Sequence, residues 1–225
     1  MNTNCRISGF TALVLSVFIF GVNSSALAQR TVEQRTFSSG TDRRAAKSGV
    51  VNAANRIAYQ VGKDFAMAVN DAKYMKDNDD SFNYTIVDLV YLIDELEGQA
   101  ECTQLQAILK GIVRGTKDQT AVSSEIAAVS KTFLARQTAE QKWYYNVGTT
   151  QMCLMIAGWN KDAAGATKNL KELQNLSKLA PLGTPGLVLE ALKGLSKYTS
   201  FAQLTVDDFS EIVNDAKLIT TLVYA

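Results

Sequence analysis

The stretch Val50-Val51-Asn52-Ala53-Ala54-Asn55-Arg56-Ile57-Ala58-Tyr59-Gln60-Val61-Gly62-Lys63-Asp64-Phe65-Ala66-Met67-Ala68-Val69-Asn70-Asp71-Ala72-Lys73-Tyr74-Met75 decides the fold class. Val50, Ala54, Ile57, Val61, Phe65, Ala68, Ala72 and Met75 recur every three or four residues, the spacing of one helix face. Ala54, Ala58, Gly62 and Ala66 form a second line at spacing four. A row of such small residues lets another helix approach closely. Glycine inside a helix costs about 1 kcal/mol relative to alanine, so Gly62 points to packing rather than to a ligand.

The same period continues downstream. Lys76-Asp-Asn-Asp-Asp-Ser81 interrupts it, and Phe82, Ile86, Leu89, Ile93 and Leu96 resume it up to Gly98. Leu105, Ile108, Leu109, Ile112 and Val113 mark a third helix, closed by Gly115. Thr116 and Gln119 have the spacing of a capping box and are expected to open a fourth helix with Val122, Ile126, Val129 and Phe133. The second half repeats the plan. One helix runs from about Ala139 through Trp159, and the next carries Ala166, Leu170, Leu173 and Leu176. A loop with both prolines, Pro181-Leu-Gly-Thr-Pro-Gly186, leads to a short helix with Val188, Ala191, Leu192 and Leu195. Thr205 with Asp208 caps the last helix, which bears Val206, Phe209, Val213, Ala216, Ile219 and Val223. No stretch alternates with period two. The expected fold is an all-α bundle of about eight helices.

Three collinear matches point to an internal duplication. Tyr59-Gln-Val-Gly62 matches Tyr145-Asn-Val-Gly148, Leu109-Lys-Gly-Ile112 matches Leu192-Lys-Gly-Leu195, and Ser124-Glu-Ile126 matches Ser210-Glu-Ile212. Each pair falls in helices of the same rank. Two four-helix units, about 50–136 and 137–225, are therefore expected to pack pseudo-symmetrically around shared apolar surface.

The first residues carry an export signal. Arg6 is followed by the apolar run Thr11–Val22 and by Ala26-Leu27-Ala28, a small-residue cleavage site. The run is shorter than the roughly 20 residues of a spanning helix. Residues 1–28 read as a cleaved signal peptide, and 29–48 as a flexible, basic linker ahead of a helical domain 49–225. The expected location is the periplasm or the medium. Cleavage removes Arg6 and no acid, leaving 22 basic and 22 acidic residues of the 23 and 22 in the whole chain. A neutral chain without a basic stripe is a poor nucleic-acid binder, and nothing after the signal is apolar enough to span a membrane.

The chemistry is restricted. The chain has no histidine, which removes His-based triads and His metal sites. No glycine-rich phosphate loop or dinucleotide fingerprint occurs, so no cofactor is expected. Asp94, Glu97 and Glu101 crowd around Gly98, and a pair of them could act as acid and base in glycan cleavage. The plainer reading is a solvated helix end. Asp77, Asp79, Ser81, Asn83 and Asp88 faintly resemble a calcium loop, but Phe82 stands where such a loop needs glycine. A polar turn with Asp80 or Ser81 as N-cap fits better. Trp143, Tyr144, Tyr145 and Trp159 share one helix, and their spacing favours the core. Cys102 and Cys153 survive signal cleavage into an oxidising compartment and are expected to form a disulfide.

The function expected from these features is a non-enzymatic binding or scaffold protein of a bacterial envelope, with an envelope protein or ligand as partner. The rivals are an envelope hydrolase using the Asp94–Glu101 carboxylates, and a carrier holding a small apolar ligand between the two units.

Overall fold

The structure is a computed structural model and describes residues 51–200 and 204–225. Residues 1–28, read above as a signal peptide, and 29–48, read as a linker, lie outside the described residues. Among the described residues there are eight α-helices and no strand: α1 Ala53–Tyr74, α2 Asp79–Glu95, α3 Ala100–Val113, α4 Val122–Arg136, α5 Ala139–Asn160, α6 Ala163–Lys178, α7 Gly186–Gly194 and α8 Val206–Tyr224. A 3-10 turn, Leu195–Ser200, follows α7. The all-α expectation holds, and none of these helices is long and apolar enough to cross a membrane.

The helix ends follow local chemistry. The Asn52 side chain accepts the amide of Asn55 and starts α1. Asn78, rather than Asp80 or Ser81, caps α2 by accepting the amides of both. Thr205 and Asp208 form the expected capping box of α8. Thr138 and Gln141 form a second box at the start of α5. Thr116 and Gln119 do not form one: α4 begins at Val122, and its N-cap Ala121 has no capping side chain. The Asp118 carboxylate takes over the turn, accepting from the Thr120 amide at 2.9 Å and its hydroxyl at 2.8 Å. Gly98 and Gly115 end α2 and α3 at φ of 81° and 64°, where a side chain would be strained.

Packing follows one pattern twice. Helix α1 lies on α2 and α4, α2 on α3, and α3 on α4. Helix α5 lies on α6 and α8, α6 on α7, and α7 on α8. The most extensive contact joins α1 to α5, the first helix of each half. One core fills the first half, with Phe65, Leu89, Leu92, Ile93, Leu105, Ile126 and Phe133. The other fills the second half, with Leu154, Leu170, Leu173, Leu192, Ile212 and Ile219. The two tyrosines at the crossing are exchanged. Tyr59 of α1 belongs to the second core and Tyr145 of α5 to the first.

The crossing is close because two glycines meet it. A Cβ built on Gly62 would overlap the carbonyl oxygen of Tyr145, and one built on Gly148 would overlap that of Tyr59. The Thr149 hydroxyl donates to the Gly62 carbonyl at 3.1 Å. Of the small-residue line on α1, Ala58 and Gly62 are buried while Ala54 is exposed. Ile57 is also exposed, Val51 is buried in the second core, and the polar Asn55 and Arg56 are buried in the first turn of α1. There the Asn55 amide donates to Glu140 at 2.7 Å.

Candidate functional site

The three carboxylates proposed for glycan cleavage separate on folding. Asp94 lies at the end of α2 and Glu97 in the following turn, and both are exposed. Glu101 is in the first turn of α3 with its side chain fully buried, ion-paired through Oε2 to the Arg136 guanidinium at the end of α4. Its Oε1 is buried without a hydrogen-bond partner. The solvated-end reading thus holds for Asp94 and Glu97, but Glu101 turns inward. That side chain ties α3 to α4, and a glycosidase pair needs two carboxyl groups facing one another across a cleft.

The residues proposed as calcium ligands do not share a loop. Asp77 precedes α2, while Asp79, Ser81, Asn83 and Asp88 are distributed along it. Alternate positions on a helix point to different sides. Among the described residues no group of three or more His, Cys, Asp or Glu is placed to hold a metal ion.

The expected Cys102–Cys153 disulfide is not formed: Cys153 carries a free thiol. Cys102 is enclosed in the first core. Cys153 lies in α5, where burial raises its thiol pKa against the opposing charges of Lys73 and Lys168. Sequence spacing carried no information about which face of α5 would hold Cys153.

Three of the four clustered aromatics are core, as their spacing indicated. Trp143, Tyr144 and Tyr145 are buried. The Trp143 indole donates to the Leu176 carbonyl at 2.9 Å, and the Trp143 and Tyr144 rings meet edge-on at 4.9 Å. Trp159 is half-buried beside Met67, Met152 and Ile156.

The sequence reading missed a polar seam between the halves. The Tyr59 hydroxyl donates to Gln151 Oε1, Gln151 Nε2 donates to Thr220 Oγ1 at 2.9 Å, and the Thr220 and Tyr59 hydroxyls lie 2.8 Å apart. The three side chains close a ring, and Gln151 also donates to the Ala216 carbonyl at 2.6 Å. On the other side of the crossing, the Tyr145 and Ser130 hydroxyls are hydrogen-bonded. Each tyrosine therefore reaches the fourth helix of the opposite half. Nearby, Tyr224 donates to Gln60 at 3.0 Å, and Gln60 donates to both Asp64 oxygens at 3.0 and 3.1 Å. Polar groups buried with partners fix one arrangement of helices. The available signal was a set of Tyr, Gln and Thr residues on otherwise apolar faces.

Among the described residues, the most exposed leucines fall close together in sequence. Leu179, Leu182 and Leu187 are 73%, 102% and 60% exposed. All three lie in the segment Leu179–Leu189, which runs from the end of α6 into the first turn of α7 and contains no charged residue. The Thr184 amide and hydroxyl both donate to the Pro181 carbonyl, at 3.2 and 2.8 Å.

Compared with known proteins, the chain matches no family model, no curated protein and no solved structure.

Proposed function

We propose that the protein is an exported, non-enzymatic binding or scaffold protein of a bacterial envelope. The observation that carries the binding part is the uncharged segment Leu179–Leu189 with its three outward leucines. Covering an exposed leucine is worth about 1.5–3 kcal/mol, so three of them in one short segment favour association. Export rests on the apolar run Thr11–Val22 and the Ala26-Leu27-Ala28 site. The hydrolase reading draws no support from Glu101, whose ion pair with Arg136 ties two helices together. The carrier reading draws none from the seam at α1 and α5, where the two glycines bring backbone against backbone.

Common descent of the two halves is part of the same proposal. It is supported by the repeated packing order, by the equal 86-residue offsets of Tyr59 to Tyr145 and Gly62 to Gly148, and by the reciprocal contact those four residues make.

The test is fractionation of intact cells that express the whole chain, with intact-mass measurement of the exported form. The expected product begins at Gln29 and is retained by the envelope. Simultaneous replacement of Leu179, Leu182 and Leu187 by serine is expected to release it without unfolding it. Retention of the replaced protein would remove the loop as the binding surface, and retention of residues 1–28 would remove the cleaved-signal reading.

A further inference from the structure

We infer that the partner of the Leu179–Leu189 loop is an anionic lipid surface, which deepens the binding reading above and rests on it. Leu179, Leu182 and Leu187 all expose most of their side chains. Leu182 is fully exposed, in a turn where Gly183 has φ of 90°. A projecting apolar tip needs a partner that yields around it, as the headgroup boundary of a bilayer does. Amphipathic elements enter that boundary with their apolar groups and keep lysine at the headgroups.

The charges are arranged accordingly. Lys168, Lys171 and Lys178 recur at helical spacing along α6 and share one side of it. All three are exposed, and the line ends at Leu179. Between residues 163 and 200 there are five lysines, Lys168, Lys171, Lys178, Lys193 and Lys197, against Glu172 and Glu190. Lys197 is engaged by Asp215 at 2.9 Å, which leaves exposed Lys193 and the three α6 lysines as the basic approach to the leucines. The first turn of α8 has the opposite character, with Asp207 and Asp208. One end of the second half is thus apolar at its tip and basic along the adjoining helix. That combination is complementary to a leaflet of negative headgroups over hydrocarbon. An apolar protein groove would cover the leucines without accounting for the lysines.

The experiment is flotation of the exported protein with vesicles of phosphatidylglycerol and phosphatidylethanolamine, alongside vesicles of phosphatidylcholine alone. Binding is expected to the first and to be much weaker to the second. Leu182→Ser is expected to lower the partition coefficient about tenfold, for one leucine withdrawn from the apolar boundary. Each of Lys168→Gln, Lys171→Gln and Lys178→Gln is expected to lower it about fivefold on anionic vesicles and to flatten its dependence on salt. Melting temperatures of these surface variants should match the parent, which separates lost binding from lost folding. Failure to bind anionic vesicles, or binding indifferent to Leu182→Ser, would overturn the lipid assignment. So would a concentration-dependent dimer that Leu182→Ser abolishes, since a second copy would then occupy the loop. If vesicles fail but the triple serine variant still leaves the envelope, the lipid is wrong and the binding reading stands. If the triple variant stays as well, both fall.

Discussion

Gly62 and Tyr145 meet backbone to backbone where α1 crosses α5, and a single methyl group on Gly62 would overlap the Tyr145 carbonyl oxygen. The counterpart contact, Gly148 against the Tyr59 carbonyl, lies on the same crossing with the partners reversed. The obstacle in each case is backbone, which cannot swing aside as a side chain can. Overpacking of this kind typically costs about 1–3 kcal/mol, against about 1 kcal/mol gained from alanine's helix propensity.

Gly62→Ala and Gly148→Ala are therefore each expected to lower unfolding stability by about 1 kcal/mol net, and by about 2 at most. The double variant should lose less than the sum, because the first methyl already separates the helices. Gly194→Ala meets nothing within 4 Å and is expected to be neutral or to stabilise by about 0.5 kcal/mol. Chemical denaturation of the four proteins measures all of this. Full additivity of the two crossing glycines would show that they do not share one contact.

Glu101 and Glu97 should behave differently despite their proximity in sequence. Glu101 is buried against Arg136, whose own side chain is half-exposed. Glu101→Gln is expected to cost about 1–3 kcal/mol, below the loss seen when a fully buried pair is broken. Glu97→Gln on the surface should stay within about 0.5 kcal/mol of the parent. Equal melting temperatures for the two would mean that the Glu101–Arg136 pair contributes nothing.

Much of the fold was legible because it rests on periodicity. The stripes through Phe65, Leu89, Leu105, Ile126, Leu170 and Ile219 all end in one of the two cores. The Thr205–Asp208 box and the helix-ending Gly98 and Gly115 were legible for the same local reason. What failed was competition between neighbours and the choice of face. Asn78 outcompeted Asp80 and Ser81 for the α2 cap, and Asp118 displaced the Thr116 box. The inward turn of Glu101 depends on Arg136, 35 residues away. The Tyr59–Gln151–Thr220 ring joins three helices, and no local pattern encodes it.

The tyrosines make alkaline stability a sensitive readout. Burial raises the Tyr144 pKa to about 12 and that of Tyr198 also to about 12, above the ordinary 10.0. Burial likewise raises Tyr145, with hydrogen bonds from Ser130 and Thr149 opposing it. A group whose folded pKa is raised holds its proton more tightly in the native state. Its contribution is fully present below the unfolded value and is lost as pH rises toward the folded one. Stability should therefore decline as pH rises above about 10. Tyr145→Phe should reduce that slope. Unfolding curves that stay flat from pH 9 to pH 11 would contradict the burial of these hydroxyls.

Cys153 offers a chemical check on the side of α5 that it occupies. With its thiol pKa raised by burial, native Cys153 should alkylate more slowly than an unstructured thiol at pH 8. The rate should climb as pH passes the ordinary thiol value of 9.0. In denaturant without reductant Cys153 should label freely. Its failure to label would restore a disulfide at that position.

The most direct measurement of how this protein acts uses an environment-sensitive fluorophore on Leu182→Cys, in a Cys153→Ser background. Cys102 is fully buried and should leave the label at a single site. On mixing with isolated envelopes, a blue shift is expected from the label at 182. A label on Glu97→Cys, at the exposed end of α2, should report no change. An unchanged spectrum at 182, or an equal shift at 97, would contradict binding through the α6–α7 loop.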